Sequence, residues 1–120
     1  MLTLHRTNFA DEFLTDERCG IVELINTADL PSLSVAQCRV EPGVTTQLHA
    51  LRSTEEVYVV LQGQGEMSDG ATQQFQVCAF DCVHIPADEP QQVTNTGSDD
   101  LVFLAICHKR FVPECYVSME

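Results

Sequence analysis

Short runs of apolar and β-branched residues recur along the chain, each about four to eight residues long and bounded by turn-forming residues. This spacing is typical of β-strands and lacks the three-to-four-residue periodicity of an amphipathic helix. The pattern predicts nine strands, at residues 20–25, 33–40, 45–49, 56–61, 65–67, 74–77, 82–85, 91–94 and 101–107. Only residues 8–17 could form a helical turn, and apolar positions there are few.

The number of predicted strands constrains how they pack. Nine strands in 120 residues have to close on themselves or form two packed sheets, because one open sheet would leave long unpaired edges. A chain of this length is enough for one domain and buries about two thirds of its unfolded surface. We therefore predict an all-β fold, a jelly-roll barrel or a sandwich, that forms a single domain over residues 1–120.

Acidic residues dominate the charged positions. The chain has 18 Asp and Glu residues against 6 Lys and Arg residues, which gives a net charge of -12. Nucleic acids and anionic membrane surfaces attract positive charge, so neither is an expected partner. The first residues lack the apolar run of a signal peptide, and no stretch approaches the roughly 18 apolar residues of a membrane span. We therefore expect a cytoplasmic protein.

Six cysteines raise the question of disulfide bonds. Most of them lie in apolar, strand-like runs, and no export signal accompanies them. We therefore expect reduced, buried thiols. The closest spacing, from Cys78 to Cys82, is not the Cys-x-x-Cys pair that is common in zinc sites, so the pattern predicts no cysteine zinc site.

Glycines and polar residues in the middle of the chain follow a characteristic spacing. Gly43, His49, Glu56 and Gly63 stand at the positions of the first cupin motif, which reads Gly, five residues, His, one residue, His, three or four residues, Glu, six residues, Gly. The chain resembles the cupin family at these residues. It departs from the motif at the second histidine position, which is Leu51.

The second cupin motif is matched more loosely. Pro86 and Asn95 stand at motif positions, the two glycine positions are Phe80 and Asp88, and the histidine position is Gln91. The number of residues between the two partial motifs is compatible with the family. Each partial match therefore strengthens the evidence from the other.

The resemblance covers about residues 33–108 and implies a double-stranded β-helix, the cupin jelly-roll barrel. In the family the open end of the barrel holds one divalent metal on three histidines and a glutamate. The resemblance therefore implies a centre for Fe, Mn, Ni or Zn, whose ligand set is reduced here to His49, Glu56 and Gln91. A second interpretation of Gln91 is structural, with its amide hydrogen-bonded to His49 or Glu56. Small cupins commonly dimerise, so a homodimer is also implied.

Strand alternation brings two further side chains to the same barrel mouth. Gln47 lies on the same strand face as His49, and Tyr58 on the same face as Glu56. If Glu56 holds no metal, it is suited to general-base catalysis. The hydroxyl of Tyr58 is a candidate contact to a substrate, with packing of its ring as the alternative.

The other candidates are supported by position alone. Leu51 and Cys107 are expected to contact a ligand inside the barrel, although a thiol in an apolar strand commonly packs as a small hydrophobic residue. His84 and His108 stand near strand ends and point either into the barrel or away from it.

Two kinds of function fit these residues. The first is a small metalloenzyme of dioxygenase, isomerase or lyase type that acts on a polar small molecule. The second is a barrel that binds or senses a small molecule without converting it, which the loss of two of the three histidine positions favours. The fold by itself does not decide between them, because function depends on the site. In both, the expected partner is a small-molecule ligand.

Overall fold

A computed structural model describes residues 1–120 and consists almost entirely of β-strands. Two short 3₁₀ turns, at Phe9–Asp11 and Pro113–Cys115, are its only helical segments. In chain order the strands are β1 Phe13–Leu14, β2 Gly20–Ile25, β3 Ser34–Val40, β4 His49–Leu51, β5 Glu55–Gln62, β6 Gln64–Ser68, β7 Gln74–Cys78, β8 Cys82–Ile85, β9 Gln92–Asn95, β10 Leu101–His108 and β11 Tyr116–Ser118. The all-β prediction is confirmed, and no helix is long or apolar enough to cross a lipid bilayer.

Eight of the nine predicted strands lie within one residue of an observed strand at both ends. The strand predicted at residues 45–49 is wrong, because β4 covers His49–Leu51 and Thr45 forms only an isolated bridge to Thr94. Between Thr45 and His49 the backbone changes partner from one residue to the next. The N–H of Thr46 is bonded to β9, and the N–H of Gln47 is bonded to the carbonyl of Glu17. A continuous ladder to one neighbour therefore does not form.

The strands form two facing layers whose order differs from chain order. One layer is a six-stranded sheet in the order β1-β2-β3-β10-β5-β8. The other contains the sheet β7-β6-β9 and the pair β11-β4, and backbone bridges at Thr45–Thr94 and His49–Gln91 connect the two. Strand β10 thus lies between β3 and β5, and β9 lies between β6 and the segment that contains Thr45 and His49. This placement of late strands between early ones is typical of a jelly roll.

Alternating burial along β5 and β10 defines the inside of the barrel. On β5, Glu56, Tyr58 and Val60 are buried, and on β10 the buried positions include Phe103 and Cys107. This is the period of two expected for strands with one face in the core. The predicted placement of Glu56 and Tyr58 on one face is therefore confirmed.

The β5–β6 turn explains one of the motif glycines. Gly63 has a φ of +89°, and a Cβ at this position would lie 2.7 Å from the carbonyl oxygen of Asp100. Both the backbone conformation and the close approach exclude a side chain. Gly63 thus allows β5 to reverse into β6 directly beside the start of β10.

All six cysteines are free thiols. Four of them are buried, as expected: Cys19, Cys38, Cys107 and Cys115. The expectation of burial is wrong for Cys78 and Cys82, which are exposed. Both belong to strands at the edge of their sheets, β7 and β8, where one strand side faces solvent.

Candidate functional site

A cavity of about 360 Å³ lies inside the barrel between the two layers. Of the 24 residues that line it, 13 are hydrophobic, and small side chains of β3 and β10, Ala36 and Ala105, leave room for it. Five aromatic side chains contribute to its walls: Phe13, Tyr58, Phe103, Phe111 and Tyr116. The volume lies at the lower end of the range of small-molecule binding sites.

His49 is the buried imidazole of the cavity, with 4% of its surface exposed. Its Nδ1 lies 2.8 Å from the backbone carbonyl oxygen of Gln47, and because a carbonyl only accepts, Nδ1 carries the proton. Its ring stacks on Tyr116, with centroids 4.7 Å apart. Burial lowers the pKa of His49, so the neutral ring presents Nε2 as an acceptor.

Glu56 lies in the cavity wall and belongs to a chain of buried hydrogen bonds. The amide of Gln91 donates to Oε1 of Glu56 at 2.7 Å, and the hydroxyl of Tyr58 donates to the amide oxygen of Gln91 at 2.5 Å. The thiol of Cys107 donates to the other carboxyl oxygen, at 3.6 Å. Burial raises the pKa of Glu56 to about 7 although these bonds from Gln91 and Cys107 oppose the shift.

The amide of Gln91 is therefore hydrogen-bonded at both ends, its nitrogen to Glu56 and its oxygen to Tyr58. Its backbone also exchanges two hydrogen bonds with His49, at 3.1 and 2.8 Å. This arrangement matches the structural interpretation of Gln91, with Glu56 rather than His49 as the side-chain partner. The hydroxyl of Tyr58 is directed at Gln91, so it is the ring of Tyr58 that faces the cavity.

Glu17 is a site residue that sequence reasoning missed. It lies in the segment between β1 and β2, and its carboxyl oxygen lies 3.9 Å from Nδ1 of His49. Only 17% of its side chain is exposed, and burial raises the pKa of this carboxyl to about 7. The charge of Glu17 also raises the pKa of Glu56, so the two carboxyls interact within the cavity. Nothing in the local pattern of residues 8–17 marks this position.

Both ends of the chain complete the wall beside Glu17. The hydroxyl of Tyr116 donates to the side-chain oxygen of Gln47 at 2.5 Å. Arg18 adopts a positive φ of 69° and forms an ion pair with Glu120, at 3.0 Å. Glu120 in turn accepts a bond from the backbone N–H of Leu48. These bonds hold the N-terminal and C-terminal segments together over the strand that carries His49.

The other predicted residues divide into two groups. Gln47, Leu51 and Cys107 line the cavity, as expected for residues that would contact a ligand. Burial raises the pKa of the Cys107 thiol, which favours packing over reactivity. His84 and His108 lie outside the cavity and are exposed, and Nε2 of His84 lies 2.7 Å from the carboxylate of Glu55.

The donor set does not fit a transition-metal centre. No three His, Cys, Asp or Glu side chains are grouped so that they could hold a metal ion. Leu51 has no donor atom, and both amide atoms of Gln91 are occupied by Tyr58 and Glu56. His49 and Glu56 alone would leave a metal with one imidazole and one carboxyl, a weaker set than transition metals require.

Comparison with known proteins assigns the chain to a family. A family model described as a cupin domain matches residues 36–107. Auxin-binding protein 1 from Arabidopsis thaliana is 38% identical over 73 residues, which cover 54% of this chain and 36% of that protein. The chain thus spans about a third of that relative's length.

Two solved structures share the fold. The polyketide cyclase RemF from Streptomyces resistomycificus has a TM-score of 0.79 and 18% identity, with 98% of this chain and 87% of that chain covered. A Klebsiella pneumoniae protein with a double-stranded β-helix domain has a TM-score of 0.76 and 14% identity, with 88% of each chain covered. The fold implied by the two partial motifs is confirmed, and the chain belongs to the cupin family.

Proposed function

We propose that this cupin binds one small, largely apolar molecule inside its barrel and holds the polar end of that molecule against His49, Glu17 and Glu56. The observation that carries the proposal is the 360 Å³ cavity, whose walls are mostly hydrophobic and in which the carboxyl of Glu17 lies 3.9 Å from the imidazole of His49. Apolar walls with a few convergent polar groups are the usual composition of a small-molecule site.

The proposal needs no metal, since the cavity walls supply both the apolar contact and the polar contact. The aromatic rings and the side chains of Leu51 and Cys107 would pack against the body of the ligand. His49, Glu17 and Glu56 would meet its polar end, together with Gln47. The roles of Glu56 as a general base and of Tyr58 as a substrate contact stay predictions, and a cavity carboxyl with a pKa of about 7 supports the first.

Filling the cavity should abolish binding of an apolar probe. We expect N-phenylnaphthylamine, a neutral fluorescent molecule, to bind the unmodified protein saturably with one site per chain. The substitution Ala36→Phe puts a ring into the space beside β3 and should weaken binding about tenfold or more. Fluorescence titration measures both affinities.

The matched control is Ala79→Phe, which adds the same ring on an exposed turn outside the cavity. Its affinity for the probe should equal that of the unmodified protein. Equal affinities of the Ala36→Phe and Ala79→Phe variants would contradict binding inside the barrel, and so would the absence of saturable binding to the unmodified protein.

We propose in addition that the protein is a homodimer that associates through its N-terminal segment. Leu4, Phe9 and Leu14 are exposed there, and β1 is the outer strand of the six-stranded sheet, with one side unpaired. Light scattering after size exclusion should give about twice the chain mass of 13.3 kDa. Leu14→Lys should shift the mass towards the monomer, and a monomer mass for the unmodified protein would refute this association.

A further inference from the structure

We propose that the cavity selects ligands that carry a positive charge, such as an organic amine with an apolar body, and rejects ligands of the same shape that carry a carboxylate. This inference rests on the proposed function, because it assumes that a small molecule enters the barrel. It adds the charge of that molecule, which the apolar walls alone do not determine.

The charged side chains around the cavity are all acidic. Glu17 and Glu56 lie in its wall, and the exposed side chains of Asp16 and Glu23 lie at its rim. No Lys or Arg side chain lines it. A carboxylate ligand would therefore lose its hydration and lie beside other negative charges with no cation to compensate. Such a transfer is costly in an apolar cavity.

The six basic residues of the chain are placed elsewhere. Arg18 is paired with Glu120, and Arg39 forms ion pairs with Glu12 and Asp100 on the outer surface. Arg110 donates to the side-chain oxygen of Asn26. The remaining three, Arg6, Arg52 and Lys109, are exposed. None of them is available inside the barrel to neutralise an anion.

An unpartnered acceptor points independently to a ligand that donates hydrogen bonds. Nδ1 of His49 is bonded to the carbonyl of Gln47, whereas Nε2 has no hydrogen-bond partner in the protein. Every fully buried side-chain nitrogen and oxygen has a partner, so Nε2 is open to the cavity that His49 lines. The neutral ring accepts there, as do the carboxyl oxygens of Glu17 and Glu56 when they are ionised.

Aromatic rings strengthen the same preference. Tyr58 and Phe103 lie side by side in the wall with centroids 4.3 Å apart, and Phe111 and Tyr116 lie on the C-terminal side. The face of an aromatic ring attracts a desolvated cation and repels an anion. An ammonium group would thus find acceptors that match its N–H donors and rings that stabilise its charge.

Three ligands with one shape test this proposal: phenethylamine, phenethyl alcohol and hydrocinnamate, which share a phenyl ring and a two-carbon linker. At about pH 8 the first is a cation, the second is neutral and the third is an anion. Isothermal titration calorimetry with the 120-residue chain should rank the affinities in that order. The amine should bind at least about tenfold more tightly than the carboxylate.

Two variants separate the site from the overall charge of the protein. Glu17→Gln should reduce the ratio of amine affinity to alcohol affinity severalfold. Glu89→Gln removes the same charge from an exposed turn outside the cavity and should leave the ratio unchanged.

Equal affinities for the amine and the carboxylate would overturn the charge preference, as would a tighter carboxylate. Failure of all three ligands while N-phenylnaphthylamine still binds would overturn it as well and leave the proposed function intact. Failure of that neutral probe too would instead refute the proposed function.

Discussion

Raising the pH from about 5 to about 8.5 should lower the free energy of unfolding by about 2 to 3 kcal/mol for each of two carboxyls, Glu17 and Glu56. The pKa of each is raised from 4.5 to about 7 by burial in the folded barrel. The folded state therefore holds these protons more tightly than the unfolded chain does. The resulting stability is complete below about pH 4.5 and is lost as the pH rises through 7.

Urea unfolding at a series of pH values measures this effect. The double substitution Glu17→Gln and Glu56→Gln removes both titrations while keeping the shape of each side chain, so its stability should vary much less over the same range. Glu56→Gln also keeps an acceptor for the amide of Gln91.

The control for overall charge is Glu89→Gln with Glu114→Gln, both on the exposed surface. Removal of two acids reduces self-repulsion in a chain of net charge -12, so this pair reports that contribution alone. The control variant and the double variant of Glu17 and Glu56 should therefore differ in how their free energy of unfolding depends on pH. If the two showed the same dependence, the two cavity carboxyls would not be the source of the effect.

Local patterns predicted most of the strands because these follow simple periodicity, and the resemblance to the cupin motifs implied the barrel. The alternation at Glu56, Tyr58 and Val60 is that of a strand with one buried face, and the turn at Gly63 is visible in the spacing of glycines. Two very short strands were missed. β1 and β11 are only two and three residues long, too short to produce a pattern that differs from a loop.

The site residues that were predicted lie in or beside the two segments that carry the partial motifs. His49, Glu56 and Gln91 were identified through the resemblance to the two cupin motifs, but Glu17 and Tyr116 enter the cavity from segments without periodicity near the two ends of the chain. Their positions depend on contacts more than 25 residues distant in sequence, such as the bond from Gln47 N–H to the carbonyl of Glu17. No local pattern encodes such a contact.

Substituting Gln91→Leu should cost about 2 to 5 kcal/mol of stability, the largest loss we expect from a single substitution in the site. Leucine has a similar volume but no amide. The hydroxyl of Tyr58 would lose its partner and the carboxyl of Glu56 one of its two donors, leaving only the thiol of Cys107, while both side chains remain buried. Gln92→Leu makes the same replacement at the next, half-buried position of β9 and should cost much less.

A double-mutant cycle with Tyr58→Phe identifies the cause of that loss. In the unmodified protein, Tyr58→Phe leaves the amide oxygen of Gln91 unpaired and should cost about 1 to 2 kcal/mol, whereas in the Gln91→Leu background it removes an already unpaired hydroxyl and should be nearly neutral. The loss of the bond from Gln91 should also raise the pKa of Glu56 further, because that bond opposes the effect of burial. If the costs of the two substitutions were additive, and the pH at which stability is lost were unchanged, Gln91 would contribute packing alone. A coupling of about 1 kcal/mol or more would establish that the buried amide fixes both Glu56 and Tyr58 in the cavity wall.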